Sequence, residues 1–185
     1  MKSTAMKVTL LGTMLLSLTA CTDDPETVRP YDRAPVPAVP DRTTAIREQS
    51  VMVDGSLAPS MPDGDYWAEA SAVGSGRPFI MFDLSQALFG QTCFDELGES
   101  ACANDYGVIS EPHGTLSVLW DSLQSVTVVA DNQQNYAVPG AELASLIGGN
   151  APSGDAPADY TYMPYPFLVT VRDGTIVDVH QIWVP

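Results

Sequence analysis

The chain is 185 residues long and 45% hydrophobic, with 23 Asp and Glu against eight Lys and Arg, a formal charge of −15. That imbalance repels phosphate backbones and excludes nucleic acid as a partner, leaving cations and basic groups as the electrostatically permitted company. Two histidines far apart in the chain make a poor metal argument and no cofactor loop is present, so neither a metal nor a cofactor is expected.

Lys2 and Lys7 precede an apolar run, Val8 to Leu18, that ends in Leu18-Thr19-Ala20-Cys21. A positive start, a short apolar centre and small residues before a cut are the layout of a secretory signal. Eleven residues at a rise of about 1.5 Å cover about 17 Å, well short of the ~30 Å hydrocarbon layer, so the run is too short for a permanent span. Leu-Thr-Ala-Cys resembles the lipobox of bacterial lipoproteins. The resemblance implies that residues 1–20 are removed and that Cys21, whose thiolate is the nucleophile able to take the lipid, carries a diacylglycerol as the first residue of the mature chain. One acyl chain holds only marginally, at ~0.8 kcal/mol per methylene, so two or three chains are needed for stable anchoring. The expectation is a protein held by lipid on the extracytoplasmic face of a bacterial cell membrane. Both lysines lie in the signal, so the mature chain has six arginines facing 23 acids, a formal −17.

Residues 21–63 read as the lipidated cysteine and a flexible tether. Thr22 to Asp63 has seven prolines and few large apolar side chains, a composition that does not offset its own ordering entropy. As a coil it would span roughly 35–40 Å. "EQSVMVDGSL" within it fits either a strand or a short helix.

Residues 64–185 are long enough for one domain with one core. "DYWAEASAV" and "PFIMFDL" read as strands, and "SQALFG" as a short helix with Ser85 as its N-cap and Gly90 as its stop. Cys93 and Cys102 are the two cysteines left for an oxidising exterior, which favours a disulfide worth roughly 2–3 kcal/mol in the chain-entropy model. "YGVI", "TLSVLW" and "SVTVVA" follow as short strands. "PGAELASLIGG" is a helix with Pro139 in its first turn and Leu143, Leu146 and Ile147 on one face. "GGNAPSGDAPADYTYMPYP" is a long loop. The closing "FLVTVRDGTIVDVHQIWVP" is a strand pair. A three-residue turn, Arg172-Asp173-Gly174, would put Phe167, Val169, Val171, Val177, Val179 and Trp183 on one face, Val169 opposite Val177 and Gly174 at positive φ. The fold class is mainly β with two short helices, a small barrel or rolled antiparallel sheet, following a disordered Pro-rich tether.

The order "GDYW…FIMFDLSQALFG…NDYGVI…VTVRDGTIVDVHQIWVP" is similar to a family of small uncharacterised bacterial extracytoplasmic domains. These pair an Ile-x-Phe-Asp strand leading into a short helix with a terminal Val-x-Val-x-x-Gly-x-Val-x-x-Ile strand pair. The resemblance covers residues 64–185 and implies the fold, with no activity and no catalytic residues attached to it.

Among polar residues, Asp178 and His180 lie two apart on a strand and share a face, the spacing of a base and its orienter, although no Gly-x-Ser-x-Gly elbow supplies a nucleophile. Asp83 ends an apolar strand ahead of a helix, where a carboxylate either favours the positive helix end or acts on a ligand. His113 sits in a turn. Residues 131–142 mimic a calcium loop at Asp131, Gln133, Asn135 and Glu142 but have Tyr136 where the sharp turn needs glycine. Arg77 and Arg172, the only bases of the domain, are expected to pair with nearby acids. Tyr160, Tyr162 and Tyr165 either cover an open end of the sheet or form a contact surface. The expected function is a binding or scaffolding module of the cell envelope, acting on an envelope protein or small ligand. The alternatives are a hydrolase using carboxylates and a structural or inhibitory surface protein.

Overall fold

Period-two alternation builds the domain. Ile80, Phe82 and Leu84 are fully buried along one face of a strand, and Tyr66, Ala68, Val126, Val128, Val169, Val171 and Val179 join them from neighbouring strands in one core. The computed structural model describes residues 29–46, 61–74 and 78–185; the signal, Cys21, "EQSVMVDGSL" and Arg77 lie outside the described residues. The strands are β1 (Asp32–Ala34), β2 (Gly64–Val73), β3 (Phe79–Phe89), β4 (Tyr106–Leu119), β5 (Ser125–Val129), β6 (Asn135–Ala137), β7 (Phe167–Arg172) and β8 (Thr175–Gln181). They form one sheet in the order β1-β6-β5-β8-β7-β2-β3-β4. Every pairing is antiparallel except β5 with β8, which is parallel. The sheet ends at β1 and β4 and does not close on itself, so the fold is mainly β with two short helices and no barrel closure is present.

Helix α2 (Gly140–Ile147) lays Leu143, Ala144 and Leu146 on the main core. Helix α1 (Gly90–Leu97) and the Cys93–Cys102 disulfide, with Cα atoms 5.9 Å apart, make a second small core with Leu88. Pairing across the sheet overrides the local signals at three places. Ser85–Gly90 is not a helix: β3 bulges after Leu84 and resumes pairing with β4 from Gln86↔Ile109 to Phe89↔Tyr106, and α1 starts only at Gly90. Six residues offer too little to repay helix nucleation when a ladder is available. "YGVI" and "TLSVLW" are the two ends of one 14-residue strand, β4. The terminal hairpin turns on two residues, Asp173 and Gly174, at φ +50° and +71°, the type I′ geometry that follows the strand twist. Val171 faces Ile176, and a bulge at Val177 places Val169 opposite Val179, not opposite Val177 as expected. The apolar alignment is therefore recovered inside β8 and not in the turn, with Ile176 in the place expected for Val177.

Residues 29–46 of the expected tether form a strap along the domain. Tyr31 is buried, β1 pairs with β6, and the chain then reaches β3, where the Phe89 amide donates to Asp41 (2.9 Å) and the Thr43 amide to Ala87 (2.9 Å). Thr43 Oγ1 accepts from the Ala87 amide at 2.8 Å, and the Thr44 amide donates to Asp65 at 2.7 Å. Average composition hid this because Tyr31, Ile46 and Met61, all buried, are single anchors in a polar stretch. The prolines hold the chain semi-rigid and extended, as a strap requires. Gly64 shows how closely the strap is seated: a Cβ there would lie 2.0 Å from Thr44 Oγ1. Gly64→Ala is therefore expected to cost about 1–3 kcal/mol in urea unfolding, the usual scale of overpacking, and adding Thr44→Gly should recover part of the loss. Equal stabilities for the single and double variants would mean that Thr44 does not sit on Gly64.

Candidate functional site

The register sorts the side chains on the sheet face opposite the main core into rows. One row reads Ser125, Asp178, Thr170, Asp65; the next reads Thr127, His180, Leu168, Trp67, Ser85; a third reads Thr115, Asp83, Glu69. Asp178 and His180 share a face as expected, but the ring Nδ1 meets Thr127 Oγ1 at 3.0 Å. Burial lowers the pKa of His180, opposed by the charges of Asp178 and Asp65. Thr127 is only 5% exposed, so its hydroxyl is closed to a substrate. Asp65 accepts from Thr170 Oγ1 at 2.7 Å.

Asp83 does not precede a helix. It lies in the middle of β3 and accepts from Thr115 Oγ1 at 2.8 Å. Three strand spacings, roughly 14 Å, separate its strand from β8, so the structure does not bring Asp83 together with Asp178 and His180. His113 pairs with Glu111 on the surface at 3.2 Å. Arg172 donates to the Val171 carbonyl at 2.9 Å, not to an acid. The calcium-loop mimic is β6 and the start of α2. Among the described residues no group of three or more His, Cys, Asp and Glu could hold a metal.

An open recess lies where β7 stops short. Phe167↔Ala68 is the last pair of β7 with β2, while β2 continues to Val73. Tyr165, between Pro164 and Pro166, gives its N–H to the Met163 carbonyl at 2.8 Å. The buried Gln181 amide donates to the Met163 carbonyl at 2.7 Å and to the Tyr165 carbonyl at 3.3 Å. Residues 163–166 are thereby held away from β2, leaving a cleft of about 310 Å³ lined by Glu69, Ile147, Tyr162, Pro164, Tyr165 and Phe167, among others. Burial pushes the Tyr162 hydroxyl up to about 12, so the ring stays neutral. The three expected loop tyrosines divide: Tyr160 packs into the core with its ring 5.1 Å from Tyr31 and 6.0 Å from Tyr136, while Tyr162 and Tyr165 frame the cleft. Sequence reasoning passed over Glu69, a lone acid in a strand, whose position matters only once the register and the end of β7 are known.

Compared with models of protein families, with curated proteins and with solved structures, the chain matches none.

Two outcomes follow. His180 in the folded chain takes up its proton at lower pH than an exposed imidazole, so the unfolded chain protonates first as pH falls below about 6.5. Stability is fully present above that value and is lost as pH falls toward the folded-state pKa. Melting curves of the wild type should therefore drop relative to His180→Gln between about pH 7.5 and 5; parallel curves would contradict the burial argument. Gln181→Leu removes the partner of the Val129 N–H and the side-chain donor to the Met163 and Tyr165 carbonyls, of which Met163 keeps the Tyr165 amide, with an expected loss of about 1–3 kcal/mol in denaturant unfolding. An unchanged midpoint would show that this amide holds nothing.

Proposed function

We propose that the mature chain is a lipid-anchored protein of the extracytoplasmic face of a bacterial membrane, and that its β-rich domain is a binding or scaffolding module with its sheet rolled around α2. The lipobox resemblance supports the anchor. Among the described residues no helix is long and apolar enough to cross a membrane, which is compatible with attachment by lipid. The observation that carries the binding reading is the cleft beside Glu69, with its tyrosine frame. The hydrolase alternative needs two carboxylates lining one cavity; Glu69 lines the cleft, its cross-strand neighbour Asp83 is not among the cleft's lining residues and is held by Thr115, and Asp178 lies on β8.

The strap shortens the leash. Eight steps of at most ~3.6 Å separate Cys21 from Arg29, a ceiling of about 29 Å, against the roughly 35–40 Å expected of a coil reaching to Asp63. The β1 edge is thus the part of the domain kept nearest the lipid. In cells, Cys21→Ser should move essentially all of the protein from the membrane fraction to the soluble envelope fraction, and the wild-type N-terminal peptide should carry the mass of a diacylglycerol. A bare thiol at position 21, or a mature chain starting elsewhere, would remove the anchor from this reading.

A further inference from the structure

We infer that the cleft between β2 and the Tyr-Pro loop is a site for an organic cation, an ammonium or guanidinium head group. This rests on the binding-module reading and names its ligand class. The walls come from Tyr162, Tyr165, Phe167, Pro164 and Ile147. Aromatic faces attract a cation within about 6 Å of the ring, and the attraction grows where water is displaced. Burial keeps the Tyr162 hydroxyl neutral across the physiological range, so its ring offers a face and a hydroxyl oxygen without a charge of its own.

Glu69 supplies the opposite charge. Its cross-strand partner is Asp83, and directly opposed side chains on neighbouring strands have Cβ atoms roughly 4.5–5.5 Å apart, where like charges repel. The ion pairs among the described residues are Arg42 with Glu96 and His113 with Glu111, so no described basic side chain relieves this pair. A bound cation at the mouth of the cleft would relieve it. Thr115 donates to Asp83 from the far side and holds that carboxylate in place without neutralising it. The formal −17 of the mature chain adds a long-range field that draws cations and repels anions. Beyond Ala68, moreover, no described strand pairs with β2 on the cleft side.

Size limits the choice. The volume of about 310 Å³ is at the bottom of the ~300–1,000 Å³ range of drug-sized sites, enough for one head group or one basic side chain. The same chemistry has two sources, a free small cation or the basic residue of an extended peptide.

The test uses the full mature acylated chain in a non-ionic detergent, with tetramethylammonium, arginine amide and a blocked Ala-Arg-Ala tripeptide as probes and tert-butanol as the uncharged control. Calorimetry and NMR shifts at Tyr162 and Tyr165 should show saturable binding of the cations and none of tert-butanol. Glu69→Gln should weaken binding about tenfold or more, Tyr162→Leu about three- to thirtyfold, and Tyr162→Phe little; Asp121→Asn should leave it unchanged. Glu69 is exposed, so its variant is expected to fold, and the Phe variant retains the ring if Tyr162→Leu does not fold. A tripeptide at least tenfold tighter than arginine amide assigns the site to peptides, and equal affinities assign it to free cations. Absence of binding by all three probes, or binding unaffected by Glu69→Gln, overturns the inference. An acylated, membrane-held chain that binds no cation would sink this site while leaving the anchored protein standing.

Discussion

The side chain of Gln181 is the contact on which the sheet and the cleft both depend. It is 0% exposed, and all of its bonding capacity toward the chain is directed: Oε1 accepts from the Val129 amide at 3.0 Å, and Nε2 donates to the Met163 and Tyr165 carbonyls. The amide orientation follows from the partners, because a flipped group would press its oxygen against two carbonyls and its NH2 against a donor. The parallel register between β5 and β8 ends at Thr127↔His180. Past that point the glutamine side chain takes over from the backbone, satisfying β5 on one side and the incoming loop on the other. A buried amide with its partners in place is a device for uniqueness, since any other path of the loop leaves polar groups unpaired in a dry interior.

A second tie runs through Glu142, in the first turn of α2. Its Oε1 accepts from the Tyr31 hydroxyl at 2.7 Å and from the Ser153 amide at 2.8 Å. One carboxylate thus gathers the N-terminal strap, the helix and the long loop, in a place where the helix dipole also favours negative charge. The tyrosines around it are held firmly protonated. Burial raises Tyr31 first, then its hydrogen bond to Glu142; burial raises Tyr160 first, then the neighbouring Tyr162 and Glu142. Together Gln181 and Glu142 pin the two ends of the stretch from Ser153 to Tyr165, and within it Tyr160 turns inward while Tyr162 and Tyr165 line the recess.

Much of the fold was legible because burial alternates with period two along the first half of β3 and the second half of β4, while β5 and β7 are apolar runs buried at consecutive positions. Helix α2 was legible from Leu143 and Leu146 at a helical spacing beside glycines. What was hidden shares one cause: partners distant in sequence. The Ser85–Gly90 stretch has helix-like residues but strand neighbours on both sides, β4 on one and Asp41–Thr43 on the other. The hairpin register is set by a bulge in β8, which lets Asp173 and Gly174 turn the chain by themselves in left-handed backbone, whereas alternation in an unbulged strand calls for three turn residues. The strap was averaged away by its prolines. The candidate site suffered most. Asp83, Asp178 and His180 attract notice as isolated chemistry-bearing letters, yet threonines engage Asp83 and His180, while Glu69 gains its place only from where another strand ends.

The sheet order also relates the strap's point of entry to the cleft. Chain from position 29 enters at β1, and the cleft opens on β2, five strands across, roughly 24 Å along the sheet at about 4.8 Å per strand. Through space the entry is closer than the strand order suggests: the Tyr31 ring lies 5.1 Å from Tyr160 and its hydroxyl bonds Glu142, in the loop and the helix that supply Tyr162 and Ile147 to the cleft. The strap makes this geometry rigid, because Asp41 to Thr44 are bonded to β3 and to Asp65 of β2, next to the strands that build the cleft. A long coil would have let the cleft sample all directions; a strap paired with β6 and bonded to β3 and β2 fixes the cleft relative to the point where the chain enters.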